Sequence, residues 1–311
     1  MSLLEVKGLK KSYGSREAVK DVSFTVKKGE VFGLLGPNGA GKSTTLSMVC
    51  GLLKPNGGKA LVGGWDIGRD GARAKSLIGI VPQEPALYPT LSAKANLRFW
   101  GTINGIPSRD LDRAVNDALK MVGLEERGEG KISKFSGGMK RRLNIGAGLI
   151  HNPRLIIMDE PTVGIDPQSR NHILETVKKL KEQGVAVIYT SHYVEEVEYL
   201  CDRVAIMDKG EIIAEGTLPE LLKQGSEFQE LSIDLKSWTD DIQECIETLP
   251  GVHKAFSLNE KLNIITANAE KVLPLAFETI VGHGAVVSEI KIHKPNLESL
   301  FLKLTGKALR D

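Results

Sequence analysis

The sequence predicts an α/β protein, with a mainly parallel sheet between helices, a helical lobe, and a smaller α+β domain behind them. Three observations carry this. Residues 154–160 (RLIIMDE) and 185–191 (VAVIYTS) are near-continuous apolar runs, the pattern of strands covered on both faces. Between them Ile173, Leu174, Val177 and Leu180 share one helical face, which Gly184 ends; strand–helix–strand is the unit of a parallel sheet. Residues 30–35 (EVFGLL) read as a strand and 44–52 (TTLSMVCGL) as a helix, and the loop joining them is GPNGAGKST.

That loop, Gly36, Pro37, Asn38, Gly39, Ala40, Gly41, Lys42, Ser43 and Thr44, fits G-x-x-x-x-G-K-[ST], the pattern that cradles nucleotide phosphates. Gly36, Gly39 and Gly41 are expected to take positive φ and turn their amides inward. Lys42 brings a charge for the β- and γ-phosphates, and Ser43 a hydroxyl for Mg²⁺. The phosphates then face a helix N-terminus, the positive end of its dipole. ATP or GTP is the expected ligand.

The other elements follow in order. Residues 90–150 keep helical period through Leu111, Ala114, Val115, Ala118, Leu119 and Val122, with no strand between them, and form the helical lobe. Residues 203–216 read as a hairpin turning at Lys209-Gly210. The first domain is expected over 1–222, a polar linker over 223–229, and an accessory domain over 230–311. In the latter, strand–helix–strand–strand–helix–strand–helix makes a ferredoxin-like α+β fold. Its second helix is expected over 273–281 with Pro274 in the first turn. The last helix presents Leu297, Leu300, Phe301 and Leu304 to its own sheet or to a partner. Glu260, Lys261, His283 and His293 form no catalytic constellation.

The 311 residues suffice for two domains. A net charge of +2 gives no reason to expect nucleic acid. No run of about 18 apolar residues suggests direct membrane insertion, and the chain is expected to be cytoplasmic. The three cysteines, Cys50, Cys201 and Cys245, are scattered in apolar settings and are expected to be reduced core thiols.

Two further motifs carry chemistry. Asp159 and Glu160 end a buried strand, where the first can reach Mg²⁺ and the second can polarise a water attacking the γ-phosphate. Ser136, Gly137 and Gly138, in FSGGMKRR, precede a helix and offer unpaired amides and a hydroxyl to phosphate. Read alone, that segment is equally a serine cap on a glycine turn.

With these motifs in this order, residues 1–220 resemble the nucleotide-binding domain of ABC transporters, a P-loop NTPase fold. The resemblance implies that ATP lies between the phosphate loop of one copy and Ser136-Gly137-Gly138 of a second. It implies that Tyr13 stacks on adenine and that Gln83 senses Mg²⁺ and water beside a membrane partner. Asp166 is implied to cross the dimer interface, and His192 to contact the γ-phosphate. The signature departs from the family at Phe135 and Met139, where Leu and Gln are usual; the Met139 thioether cannot replace a two-way amide. The C-terminal PNLESLFLKLTGK and residues 79–101 are similar to the type-2 drug and antibiotic exporters, such as the linearmycin- and daunorubicin-resistance ATPases. A separately encoded permease, and a peripheral place on the inner face of the membrane, follow from that resemblance. A regulatory ATPase acting on a membrane partner without transport, or export of sodium or another substrate, remains the alternative.

Overall fold

Alternating apolar residues make four antiparallel strands within the first 66 residues. In β1 (Ser2–Tyr13) Leu4, Val6 and Leu9 face inward, and in β2 (Arg16–Lys27) Val22, Phe24 and Val26 do. The two pair antiparallel with Tyr13 opposite Arg16 across a turn containing Gly14 at φ 59°. With β4 (Gly57–Val62) and β5 (Trp65–Asp66) they form a four-stranded sheet ordered β2-β1-β4-β5. This sheet departs from the expected strand–helix alternation. The computed structural model describes residues 2–225, 229–236, 240–258, 261–293 and 296–305.

The second sheet is the parallel one. Its order is β10-β9-β3-β8-β7-β6, from β3 (Val31–Leu35), β6 (Ile78–Val81), β7 (Leu155–Met158), β8 (Ala186–Ser191), β9 (Arg203–Asp208) and β10 (Glu211–Thr217). Every residue of β3, β7 and β8 is buried, as strands covered on both faces require. Strands β6, β7, β8, β3 and β9 run parallel. Lys209 (φ 46°) and Gly210 (φ 85°) make the two-residue turn into β10. The intervening helices are α1 (Lys42–Val49), α2 (Gly71–Lys75), α6 (Pro167–Glu182) and α7 (Val194–Leu200); α3 (Ala93–Ile103), α4 (Ser108–Met121) and α5 (Gly137–Leu149) form the helical lobe. One apolar cluster joins the two sheets, and Phe24 stacks on Phe32 with ring centroids 5.1 Å apart.

The chain parts into two units between Gly216 and Thr217, earlier than the expected boundary at 222. Residues 218–225 are not a tail of the first unit but helix α8 (Leu218–Gly225), packed on α11 (Leu297–Thr305) within the second. Leu221, Leu297, Leu300 and Phe301 are all buried, which gives these helices their reason to meet. The expected linker 223–229 is therefore helix at 223–225 and strand at 229, while 226–228 lie outside the described residues. The last helix accordingly packs on α8, with Leu304 still 42% exposed.

The rest of the second unit is β11 (Gln229–Leu235), α9 (Asp240–Glu247), β12 (Val252–Leu258), β13 (Lys261–Thr266), α10 (Ala269–Gly282) and β14 (Val287–His293). Its antiparallel sheet is ordered β12-β13-β11-β14. Ile242 and Ile246 of α9, and Val272, Ala276 and Ile280 of α10, share a core with Leu231, Ile233, Leu262 and Ile264. Helix α10 starts earlier than expected because the Asn268 side chain caps it, accepting from the Lys271 amide. Pro274 consequently lies inside the helix and leaves the Glu270 carbonyl without an amide, at an exposed position where water can serve it. Lys261 pairs with Asp234 at 2.9 Å, and Glu260 is outside the described residues. Among the described residues no helix is long and apolar enough to cross a membrane.

Cys245 is not a core thiol. It is only half-buried, with Sγ 3.6 Å from His283 Nε2. Cys50 and Cys201 are buried, and burial pushes the Cys50 thiol up to about 12 and the Cys201 thiol further. A disulfide reagent added to the native chain near pH 8 should therefore modify one thiol quickly, and a Cys245→Ser chain none. All three should react after denaturation.

Candidate functional site

The site begins where β3 ends. Residues 36–41 swing from the strand into α1, with Gly39 at φ 79° and Gly41 at φ 104°. Gly36 does not take positive φ, contrary to the sequence expectation. It must be glycine because a β-carbon there would lie 2.2 Å from the Met207 carbonyl oxygen on neighbouring β9. A β-carbon on Gly41 would meet the Ala18 carbonyl at 2.6 Å, so β2 presses directly on the loop. Gly41 caps α1 with no side chain, which leaves first-turn amides for an anion.

Lys42 is 6% exposed and arches back over the loop, donating to Gly36 O at 2.6 Å and Pro37 O at 3.0 Å. Burial holds its pKa below the usual lysine value, while Glu160 and Asp159 oppose that shift. An added phosphate would stabilise the charge that burial penalises. Ser43 is exposed beside it.

A cleft of about 380 Å³ opens over the loop, lined by Tyr13, Arg16, Ala18, Asn38, Gly39, Gly41, Lys42, Ser43, Thr44, Gln83 and Glu160. The β1–β2 hairpin supplies the first three. Tyr13 stands at the rim, 52% exposed, with the Lys11 ammonium 5.6 Å from its ring. Arg16 was missed by sequence reasoning. Only the cross-strand register, Tyr13 against Arg16, shows that the arginine shares the cleft.

Strand β7 delivers the carboxylates. Glu160 is 9% exposed at φ 47°, a left-handed conformation that costs a non-glycine residue and is kept where it aims a side chain. Thr190 Oγ1 accepts from the Glu160 amide at 2.8 Å and donates to Asp159 Oδ1 at 2.7 Å. Gln83 Nε2 donates to Glu160 Oε2 at 3.0 Å, across 77 residues of sequence. His192 Nδ1 lies 3.6 Å from Glu160 Oε1, beyond hydrogen-bond distance.

Helix α5 grips the loop that carries Gln83. Arg141 Nη1 donates to the Pro82 carbonyl at 3.1 Å and to the Gln83 carbonyl. Asn144 Oδ1 accepts from the Ala86 amide at 3.0 Å. Burial lowers the Arg141 pKa, with Glu160 opposing. Sequence reading missed both residues, because polar positions in a helix read as its solvent face. Nearby, Ile80, Pro82, Ala86, Trp100, Ala147 and His151 line an apolar groove.

The signature residues lie apart from the cleft. Ser136 and Gly137 are exposed, and Ser136 Oγ accepts from the Met139 amide at 3.2 Å, so it is a helix cap as well as an open hydroxyl. Gly138 is buried against α6; a β-carbon there would sit 1.9 Å from Ser169 Oγ. Asp166, exposed, caps α6 by accepting from Ser169 N at 2.9 Å. Hydrogen bonds from the Ser169 amide and hydroxyl hold its carboxyl below the usual range. Tyr13, Lys42, Ser43, Gln83 and Glu160 thus share one cleft, whereas Ser136, Gly137 and Asp166 form a second, outward-facing group, with Gly138 buried beside them.

Comparison with known proteins gives this geometry a lineage. Residues 19–163 match the family model described as ABC transporter. The chain is 50% identical over 311 residues to the linearmycin resistance ATP-binding protein LnrL of Bacillus subtilis (strain 168), covering 99% of this chain and 100% of that protein. It is 35% identical over 312 residues to the Nod factor export ATP-binding protein I of Ralstonia nicotianae (strain ATCC BAA-1114 / GMI1000), covering 99% and 95%. A dimeric ATP-binding cassette in a post-hydrolysis state, bound to ADP and Pi, superposes with TM-score 0.63 and 28% identity over 69% of this chain and 98% of its own. The chain belongs to the ATP-binding proteins of the ABC transporter family, and its chemistry is that of an ATPase.

Proposed function

We propose that this chain energises an exporter, working as a pair of copies beneath a separately encoded membrane permease and expelling an antibiotic of the linearmycin kind. The observation that carries the reading is the convergence of Lys42, Ser43, Gln83 and Glu160 on one cleft. Lys42 and the α1 amides hold the β- and γ-phosphates, and Tyr13 lies against the base. Ser43 Oγ, the Gln83 amide oxygen and the Asp159 carboxylate are hard oxygen donors that suit Mg²⁺, which when bound neutralises charge on the phosphates. Glu160, aimed by Gln83 and Thr190, takes the proton of the attacking water. His192 steadies the γ-phosphate.

The exposed Ser136 and Gly137, and the exposed Asp166, are the parts left for a second copy. Charge-assisted hydrogen bonds from Ser136 and Gly138 to a γ-phosphate held by the other copy's loop would draw the pair closed. The dimeric cassette with ADP and Pi supports a paired state. The apolar groove beside Gln83 suits an amphipathic segment of the permease, and Arg141 and Asn144 tie that groove to the Gln83 loop. On this reading the chain sits at the cytoplasmic face of the membrane through its permease.

Replacing the natural chain with a Lys42→Ala variant in its own cells tests the export reading. The strain should become sensitive to linearmycin. Unchanged sensitivity, with the permease present, contradicts the antibiotic assignment.

A further inference from the structure

We infer that Glu196 is a positioning residue for hydrolysis, fixing the segment that follows Glu160 and the segment that carries His192 in a single frame. The inference rests on the ATPase reading above. Glu196 lies in α7, is 1% exposed, and does not line the cleft. Its Oε2 accepts from Thr162 Oγ1 at 2.8 Å, Tyr189 OH at 2.8 Å and Ser191 Oγ at 2.9 Å. Its Oε1 is 2.6 Å from Arg170 Nε. The three hydroxyls all donate to Oε2, as an acceptor-only carboxylate requires, while Oε1 has the Arg170 ion pair and no hydrogen bond among the described residues.

The places of these donors give the cluster its meaning. Thr162 is two residues past Glu160, on the segment that leads to Asp166. Ser191 immediately precedes His192 and also accepts from the Tyr193 amide at 2.9 Å. Arg170 is in the first turns of α6, just beyond the Asp166 cap, and its guanidinium lies 5.1 Å from the Tyr193 ring centre. Tyr193 in turn packs on His192 with ring centroids 4.3 Å apart. One buried carboxylate therefore joins the segments carrying Glu160, Asp166 and His192. Withdrawing the Glu196 carboxylate from water is costly, and a well-packed apolar residue often stabilises a core as well or better. Stability alone is therefore a poor reason for a charge here, whereas registry of the two functional segments is a sufficient one.

The test is steady-state ATP hydrolysis by the full chain carrying Glu196→Gln or Thr162→Val. Glu196→Gln keeps the shape and removes the charge facing Arg170; kcat should fall about tenfold or more, with KM for ATP within about twofold of wild type. Thr162→Val leaves the Arg170 pair intact and should lower kcat about threefold with the same KM. If Glu196→Gln does not fold, Thr162→Val decides alone. A kcat within twofold of wild type, or a KM that rises in step with the loss, overturns the inference. Wild-type turnover and its loss in Glu160→Gln, measured alongside, distinguish failure here from failure of the ATPase reading.

Discussion

A Glu160→Gln chain should lose turnover by about 10²- to 10⁴-fold, the range general-base catalysis contributes, while binding ATP as well as the wild type does. The substitution removes the proton acceptor and little else. Gln83 Nε2 now donates to Glu160 Oε2, and an amide oxygen can accept the same bond. The amide that Thr190 accepts from belongs to the backbone and is unaffected. Single-turnover hydrolysis and equilibrium nucleotide binding on the same preparation check both halves. A loss of binding in proportion to activity would mean that the carboxylate holds the cleft in shape instead of acting on water.

Lys42→Ala should have the opposite signature. Nucleotide affinity should fall about 100-fold, because two charged hydrogen bonds and the ammonium's attraction for phosphate are removed together. The lysine also straps its own loop through Gly36 O and Pro37 O. Lys42→Arg should rescue little, since a planar guanidinium does not fit a buried site shaped for a compact ammonium. Titration with a fluorescent ATP analogue measures the shift. An affinity within threefold of wild type would remove Lys42 from phosphate binding.

Local residues made much of this site legible in the sequence. The GPNGAGKST loop needs only neighbours in the chain to declare itself, and so do the apolar strands of the parallel sheet with the carboxylates at the end of β7. Contacts made across long sequence separations were not legible. Gln83 meets Glu160, Arg141 holds the Pro82 and Gln83 carbonyls, and Arg16 enters the cleft only because β1 and β2 pair as they do. Register shifts interrupt the alternation of β1 beyond Val6, so the antiparallel sheet is less legible than the continuous apolar runs of the parallel strands. Gly36 shows the same limit in one residue. Its type was readable, but the reason is a carbonyl on β9, about 170 positions on, and not its own φ. In the second unit α9, α10 and α11 are legible in the sequence, whereas α8 and its packing on α11 are not. The Asn268 cap lengthened α10 past Pro274, and α8 claimed α11, because burial of Leu221 needs a surface that only the folded unit supplies.

On the proposed function the cleft over Lys42 is half a site, completed by Ser136 and Gly138 of a second copy. Light scattering on Glu160→Gln, without nucleotide and with saturating Mg-ATP, tests it most directly. The account predicts a monomer that becomes a stable dimer on adding Mg-ATP, and no such dimer when Ser136 is also replaced by Arg. A Glu160→Gln chain that binds ATP and remains monomeric at saturation would contradict it.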